Sequence, residues 1–136
     1  DCPTRLAVEQ LDTPFDYTLT LRRETGTVTV KPDLPETFAY LIGLHTRRRF
    51  RTERAGVSYL IYTGTLHADG TEVAVLWRTC RGWTKPNLKA EMDWWRAPRE
   101  TLAPGATRVY VNGASAIVGH HSLDAEFKNR MHGANA

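Results

Sequence analysis

One apolar run, Val73-Ala-Val-Leu-Trp77, restricts the folds open to this chain more than any other segment. An uninterrupted apolar run of this length is typical of a central strand that is covered on both faces. Such a strand needs further elements packed on either side of its sheet. The chain has 136 residues, 41% of them hydrophobic, which is enough for one domain with a real core.

Alternating and β-branched segments predict the other strands. The first two form a hairpin, and the turns at 54–56 and 68–70 join three later strands. The last strand closes at Asn112-Gly113. The predicted strands are 15–22, 27–30, 45–53, 57–65, 71–78 and 108–111.

Capping residues and periodic apolar positions predict three helices. The first begins after Asp33, has Glu36 as its capping-box partner and ends where Gly43 takes the left-handed conformation. The second follows Thr84, and Pro98 is expected to end or kink it. The third lies near the end of the sequence.

That last helix has Ser122 as its cap and Gly133 just past its end. The element order ββ-α-βββ-α-β-α makes 71–112 a strand–helix–strand crossover between parallel strands. We therefore predict an α+β or α/β fold, in which three helices pack on a mixed sheet of about five to six strands. Residues 1–14 are predicted to be an irregular lead-in, and 15–133 a single domain.

Positive charge is concentrated at 45–54, which hold five Arg and one Glu in a chain of net charge +3. Strand alternation places Arg47, Arg49 and Arg51 on one face, where they could follow a phosphate backbone. An equally good interpretation is a charged edge strand that prevents edge-to-edge aggregation.

Four tryptophans lie near Arg78 and Arg81, an arrangement that can stack on and clamp single-stranded nucleic acid. Packing in the core or at a subunit interface is the favoured alternative, because aromatic residues dominate both settings. The candidate phosphate contacts are Arg47, Arg49, Arg51, Arg78 and Arg81, and the candidate interface residues are Phe38, Leu41, Trp94 and Trp95.

The residues that usually carry catalysis form no recognisable arrangement. No Gly-x-Gly occurs, so a Rossmann-type loop and a P-loop are both absent. His120-His121 has no acidic or Cys ligand at metal-binding spacing, and we interpret it as a polar loop before the last helix. Cys80 is interpreted as an inert buried thiol. An independent enzyme using His120 or Cys80 is therefore the least favoured hypothesis.

The carboxylate pairs of the predicted helices also suggest no shared site. Glu91 and Asp93, like Asp124 and Glu126, are two residues apart and diverge on a helix. They are interpreted as solvated faces and first-turn dipole partners. We predict no catalytic, cofactor-binding or metal-binding residue in this segment.

One segment, Glu36-Thr-Phe-Ala-Tyr-Leu-Ile-Gly-Leu44, resembles the Glu-Thr-Phe-Asn-Tyr-Leu-hydrophobic-Gly-Leu segment of a known enzyme family. The family is the adenine-specific DNA methyltransferases of type III restriction-modification systems, and the segment belongs to their C-terminal region. Val73-Ala-Val-Leu-Trp-Arg78 is similar to the Val-Leu-Val-hydrophobic-Trp-Arg strand that follows it in that region. Ala39 departs from the usual Asn.

Three further segments match in the same order. The segment at 14–19 looks like the Phe-Asn-Tyr lead-in strand, and 109–113 looks like the Val-Tyr-Val-Asn-Gly-Asp strand end. The segment at 122–131 looks like the closing Ser-Leu-Glu/Asp-x-x-Phe-Lys-x-x-Met helix. Ala114 stands where the family tends to have an acidic residue.

The resemblance implies a non-catalytic C-terminal accessory domain of a bacterial, cytoplasmic enzyme. That enzyme would transfer a methyl group from S-adenosylmethionine to adenine N6 in DNA. The family's catalytic and cofactor motifs lie upstream of the matched region, so the chain is expected to be cut from a longer polypeptide. The implied partners are the upstream domain, DNA, and a second copy or a restriction subunit, with no membrane.

The alternative is a stand-alone nucleic-acid-binding module. It would use Arg47, Arg49 and Arg51 together with the cluster of tryptophan and arginine residues around 77–95. The two hypotheses differ in whether a methyltransferase precedes this segment in the same reading frame.

Overall fold

Helices pack on both faces of a mixed five-stranded sheet, as the sequence predicts. The computed structural model describes residues 11–16 and 18–134. Most of the predicted lead-in, 1–10, therefore lies outside the described residues. The elements are β1 (Leu19–Arg23), β2 (Gly26–Val30), α1 (Leu34–Leu41), β3 (Leu44–Arg54), β4 (Val57–Leu66), β5 (Glu72–Arg78), α2 (Lys85–Leu102), β6 (Arg108–Val111), β7 (His120–Ser122) and α3 (Leu123–Ala134).

The strands divide into two sheets. β1 and β2 form the predicted hairpin, which is a separate two-stranded antiparallel sheet. The main sheet has the order β3-β4-β5-β6-β7, antiparallel from β3 to β5 and parallel from β5 to β7. The predicted parallel crossover through α2 is confirmed.

The apolar run of β5 is buried on both faces of the sheet, as expected. Val73, Val75 and Trp77 pack with α1 and α3 on one face. Ala74 and Leu76 pack with α2 on the other. The strand is the third of five in the main sheet, so its two rows of side chains serve two separate halves of the core.

The first helix begins and ends where its sequence indicates. Asp33 Oδ1 accepts a hydrogen bond from the Glu36 backbone N–H at 3.1 Å. Gly43 has a φ of +69°, a left-handed conformation that costs little without a side chain. The predicted capping box is incomplete, because the Glu36 carboxylate accepts from the Tyr62 hydroxyl of β4 instead.

Four aromatic rings from four different elements meet beneath α1. The centroid of Phe38 lies 6.1 Å from Trp77, 5.4 Å from Tyr110 and 5.6 Å from Phe127. The first two pairs are edge-to-face, a favoured geometry for aromatic contacts. Phe38 therefore joins α1 to β5, β6 and α3.

Some later elements differ from their predicted bounds. α2 continues through Pro98 to Leu102, so Pro98 does not end the helix, and α3 includes Gly133, which was predicted to lie just past its end. The stretch interpreted as a polar loop before α3 contains β7, which pairs in parallel with β6. Three residues with no β-branched member give little local signal, so this strand depends on its partner.

We expect Phe38→Ala to lower the free energy of unfolding by about 3–5 kcal/mol, because it leaves a cavity among three other rings. Tyr40→Ala is the matched control, since that ring lies on the same helix and is 84% exposed. It should change the free energy by less than about 0.5 kcal/mol. Urea unfolding followed by circular dichroism measures both, and equal effects would contradict the role assigned to Phe38.

Candidate functional site

The arginine-rich strand is β3, an edge of the main sheet whose side chains are mostly exposed. Its alternation is interrupted, because the pairing with β4 shifts between Thr46 and Arg48 and leaves Arg47 without a partner residue. Gly64 lies opposite this bulge, and a Cβ there would come within 2.1 Å of the His45 carbonyl oxygen. The bulge therefore requires glycine on the neighbouring strand.

As a result, Arg47, Arg49 and Arg51 do not form the predicted row of three. Arg47 Nη2 binds Glu72 Oε1 at 2.6 Å, and this contact raises the pKa of Arg47. Arg49 Nε donates to the Tyr62 hydroxyl at 3.0 Å. Of the three, Arg49 and Arg51 line the same groove, a cavity of about 340 Å³ whose wall also contains Lys31.

Two partly buried tryptophans, Trp83 and Trp94, pack around a cation that was not predicted from the sequence. The guanidinium of Arg54 lies 5.9 Å from the ring of Tyr59 and 5.7 Å from those of Trp83 and Trp94. Cations at these distances are attracted to aromatic faces. The signal was present in the sequence, since Arg54 ends a strand whose hairpin partner carries Tyr59.

Arg78, predicted as a phosphate contact, is completely buried and pairs with Glu91 of α2. Its Nε donates to Glu91 Oε2 at 2.6 Å, and its Nη2 donates to Glu91 Oε1 at 2.9 Å. Nη2 also reaches the carbonyl of Ala114 at 2.6 Å. A guanidinium in this position cannot reach a phosphate, so that prediction is wrong for Arg78; Arg81 is exposed.

Glu91 is also completely buried, which corrects its interpretation as part of a solvated face. Its Oε2 accepts from the Tyr59 hydroxyl at 2.6 Å. Burial, together with this carboxylate, raises the pKa of Tyr59 well above its usual value. Glu91 lies on the same helix face as Leu88, Met92 and Trp95. Its position on this apolar face is the feature of the sequence that could have predicted its burial.

Asn112 holds the ends of β5 and β6 together beside this ion pair. Its Oδ1 accepts from the Arg78 backbone N–H at 2.9 Å, and its Nδ2 donates to the Arg78 carbonyl at 2.8 Å. Nδ2 also donates to the carbonyl of Leu11, and the Asn112 carbonyl accepts from Arg78 Nη1. One side chain thus fixes β5, β6 and the segment that enters the domain.

The predicted interface residues are divided between the core and the surface. Phe38 and Trp95 are buried, which excludes them from an interface in this conformation. Leu41 and Trp94 are partly buried. Among the described residues, the large exposed apolar side chains are instead Tyr40 and Val118, and neither was predicted from the sequence.

A crevice of about 610 Å³ opens next to the buried ion pair, at the carboxyl ends of β5, β6 and β7. Gly113, in a left-handed conformation with a φ of +68°, forms part of its wall. A Cβ at this position would lie 2.6 Å from Cys80 Sγ. Glycine is therefore required at position 113, because its backbone is left-handed and a Cβ would collide with Cys80.

Cys80 and Asp124 also line this crevice. Asp124 Oδ1 accepts from the Gly113 N–H at 3.1 Å, and Oδ2 accepts from the Leu11 N–H at 3.2 Å. Burial raises the pKa of Asp124 and that of the Cys80 thiol. Asp124 was interpreted as a partner of the helix dipole, but it also binds two backbone N–H groups outside its helix. A raised pKa lowers the thiolate fraction of Cys80, which agrees with its interpretation as an inert thiol.

The His120-His121 pair lies on β7. His120 Nδ1 is 2.8 Å from the carbonyl oxygen of Ile117, and the ring of His121 is 5.7 Å from that of Tyr110. Among the described residues, no group of three or more His, Cys, Asp or Glu is placed to hold a metal ion. Within that same part of the chain, no helix combines the length and apolarity that a membrane span needs.

Comparison with known proteins identifies no relative. No family model, curated protein or solved structure matches this chain.

We expect Glu91→Leu to destabilise the fold by about 3–5 kcal/mol, because it leaves the Arg78 charge buried without its partner. The double variant Arg78→Met, Glu91→Leu should recover a large part of that loss, since replacing both charges removes the desolvation cost. Urea unfolding of the single and double variants measures the difference.

A second ion pair on the same helix provides the control. Lys89 Nζ lies 3.2 Å from Asp93 Oδ2, and both side chains are exposed. Removing either should cost less than about 1 kcal/mol. If Glu91→Leu were as mild as Asp93→Ala, the buried pair would not have the structural role described.

Proposed function

We propose that this chain is a non-catalytic accessory domain of a DNA (adenine-N6) methyltransferase. One observation carries the proposal. The four rings that meet beneath α1 come from four of the five segments that resemble the family: Phe38, Trp77, Tyr110 and Phe127. A pattern spread along most of the chain therefore corresponds to one physical unit. The fifth segment contributes Phe15, which is partly buried against the same cluster.

The polar residues of the same segments support the proposal independently. Arg78 ends one segment, Asn112 lies in the next, and Asp124 lies in the last. Asn112 binds the backbone of Arg78, while Asp124 binds the backbone of Gly113. Resemblances that arise by chance have no reason to converge on one hydrogen-bonded network.

Within this function, the domain associates with the rest of the enzyme and contacts the DNA backbone. Tyr40 belongs to the segment that most resembles the family, yet its ring is 84% exposed. Its position suits contact with the upstream domain. Arg49 and Arg51 on one face of β3, with Lys31 across the groove, suit phosphates. S-adenosylmethionine would bind upstream, and the enzyme would act on DNA in the bacterial cytoplasm.

The reading frame that encodes this chain provides the decisive test. We expect an Asp-Pro-Pro-Tyr-type motif and a Phe-x-Gly-x-Gly motif upstream of Asp1. In the whole enzyme, Tyr40→Ala should reduce methyl transfer to DNA while leaving the stability of the isolated domain unchanged. A start codon immediately before Asp1 would overturn the proposal and leave the stand-alone binding module.

DNA contact through β3 has its own test. If Lys31, Arg49 and Arg51 neutralise about three phosphates, the logarithm of the binding constant should fall with the logarithm of salt concentration at a slope near −2.7. Arg49→Ala, Arg51→Ala should reduce that slope by about 1.8. Fluorescence anisotropy of a labelled duplex across a salt series measures both slopes.

The matched control removes two positive charges elsewhere. Lys89 and Arg96 are exposed on α2, which covers the other face of the sheet. Lys89→Ala, Arg96→Ala should leave the salt slope unchanged. An equal effect of the two double variants would show that DNA responds to net charge and not to β3.

A further inference from the structure

The main sheet has two edges, and they differ in how much backbone they offer to another strand. At one edge, β7 has only three residues, and a strand this short offers little to a partner. At the other edge, β3 has eleven residues, and within the described part of the chain it pairs with β4 alone. Every second residue of an edge strand points its backbone N–H and C=O away from the sheet. β3 therefore presents the longer row of unpaired backbone donors and acceptors.

The bulge at Arg47 limits the part of this edge that is regular. Beyond it, the register with β4 is continuous from the pair Arg48 and Thr63 to the pair Arg54 and Val57. At roughly 3.4 Å per residue, this stretch is about 24 Å long, which is the length of an ordinary strand. The regular part of β3 is therefore long enough to pair with an added strand.

The two faces of this regular stretch differ in chemistry. Arg49 and Arg51 lie on the α1 side, in the wall of the groove that also contains Lys31. Glu53 follows them on that side, next to the hairpin turn. Phe50 lies on the other side, where it is partly buried against the apolar cluster that packs on α2. A strand added here would meet cations on one face and an aromatic ring on the other.

Positive charge remains on the α1 side after the internal contacts are taken into account. Arg49 lies 3.8 Å from the Glu36 carboxylate, which also accepts from a tyrosine hydroxyl. Asp33, another residue of the groove wall, accepts the backbone N–H at the start of α1. Arg51 is exposed, and among the described residues no carboxylate pairs with it. Together with Lys31, it favours a partner that carries carboxylates.

Two other occupants suit this edge less well. A second copy of β3 is a poor partner, because 45–54 hold five Arg and one Glu, and like charges on paired strands are destabilising. A phosphate backbone suits the guanidiniums, but it supplies acceptors only and leaves the outward carbonyl groups of β3 to solvent. An extended peptide satisfies both kinds of backbone group. The charges that keep copies apart thus select a strand of opposite charge.

We propose that β3 binds, by strand addition, a segment of a partner protein in which acidic and apolar residues alternate. Its carboxylates lie on the α1 side beside Arg49 and Arg51, and its apolar side chains lie beside Phe50. The inference goes beyond the proposed function and does not depend on it. Because the added strand covers Arg49 and Arg51, it excludes a DNA backbone from β3 while it is bound.

The probe is a fluorescein-labelled peptide of about nine residues in which Glu and Val alternate. We expect its anisotropy to rise on titration with the chain, and the amide resonances of 48–54 to shift in the ¹⁵N-labelled chain. The same peptide with Lys in place of Glu should not bind, because it brings like charges together. No binding of the Glu peptide, equal binding of the two, or shifts confined to another surface would overturn the proposal.

Backbone methylation of the peptide distinguishes strand addition from attraction between charges alone. Two versions carry N-methyl groups on alternate residues, one version in each phase, and both keep every carboxylate. In a paired strand, only one phase points its N–H groups toward the neighbouring strand. We expect the version methylated in that phase to bind about tenfold or more weakly, and the other to bind like the unmodified peptide. Equal affinities of the two versions would show that no strand is added.

Variants of the chain test the assigned cations. Arg49→Ala, Arg51→Ala should weaken binding of the Glu peptide by about fivefold or more, because it removes two cross-strand ion pairs. Lys89→Ala, Arg96→Ala removes the same number of charges from α2 and should leave the affinity unchanged. Equal losses in the two double variants would contradict a site at β3.

DNA provides the last comparison. A DNA duplex that binds β3 through Arg49 and Arg51, while the Glu peptide does not bind, would make this edge a phosphate surface only. That result would overturn strand addition and leave the proposed function standing. A methyltransferase motif missing upstream of the chain would do the reverse.

Discussion

The buried pair of Arg78 and Glu91 is the interaction on which the rest of this structure depends. Both side chains are completely excluded from solvent, and they join the carboxyl end of β5 to the middle of α2. A buried charge is tolerated only when its hydrogen-bonding capacity is satisfied. Here the partners of Arg78 include Asn112 and Ala114, and Tyr59 adds a donor to Glu91. The network consequently fixes four elements relative to one another.

A buried ion pair is weak evidence for net stability, because desolvation offsets most of the attraction between the charges. Its effect in this fold is on geometry. The guanidinium of Arg78 packs against the ring of Trp83. The hydrogen bonds between Arg78 and Asn112 join the end of β5 to the end of β6. Asn112 and Gly113 then bring the start of α3 close to the same point, through the bond from Gly113 to Asp124. The network therefore supports two residues that line the crevice, Trp83 and Gly113.

Local physical chemistry was enough to predict most of the fold from the sequence. Some features could be predicted from a few neighbouring residues: the cap at Asp33, the left-handed Gly43 and the apolar run of β5. The features that were missed depend on distant partners. The bulge at Arg47 requires Gly64 on the neighbouring strand, and β7 exists only because β6 pairs with it. Glu91 was misjudged because a carboxylate on an apolar stripe becomes acceptable only when a buried guanidinium meets it.

The candidate site was harder to predict than the fold for the same reason. Counting charges along β3 selects five arginines in one stretch, but tertiary contacts give them different roles. Arg47 is held by Glu72, and Arg54 is covered by three aromatic rings. Arg49 and Arg51 remain facing a groove on the α1 side, at the opposite edge of the sheet from β7. Any contact with a phosphate backbone at β3 is therefore physically separate from the crevice, and each surface can be altered without changing the other.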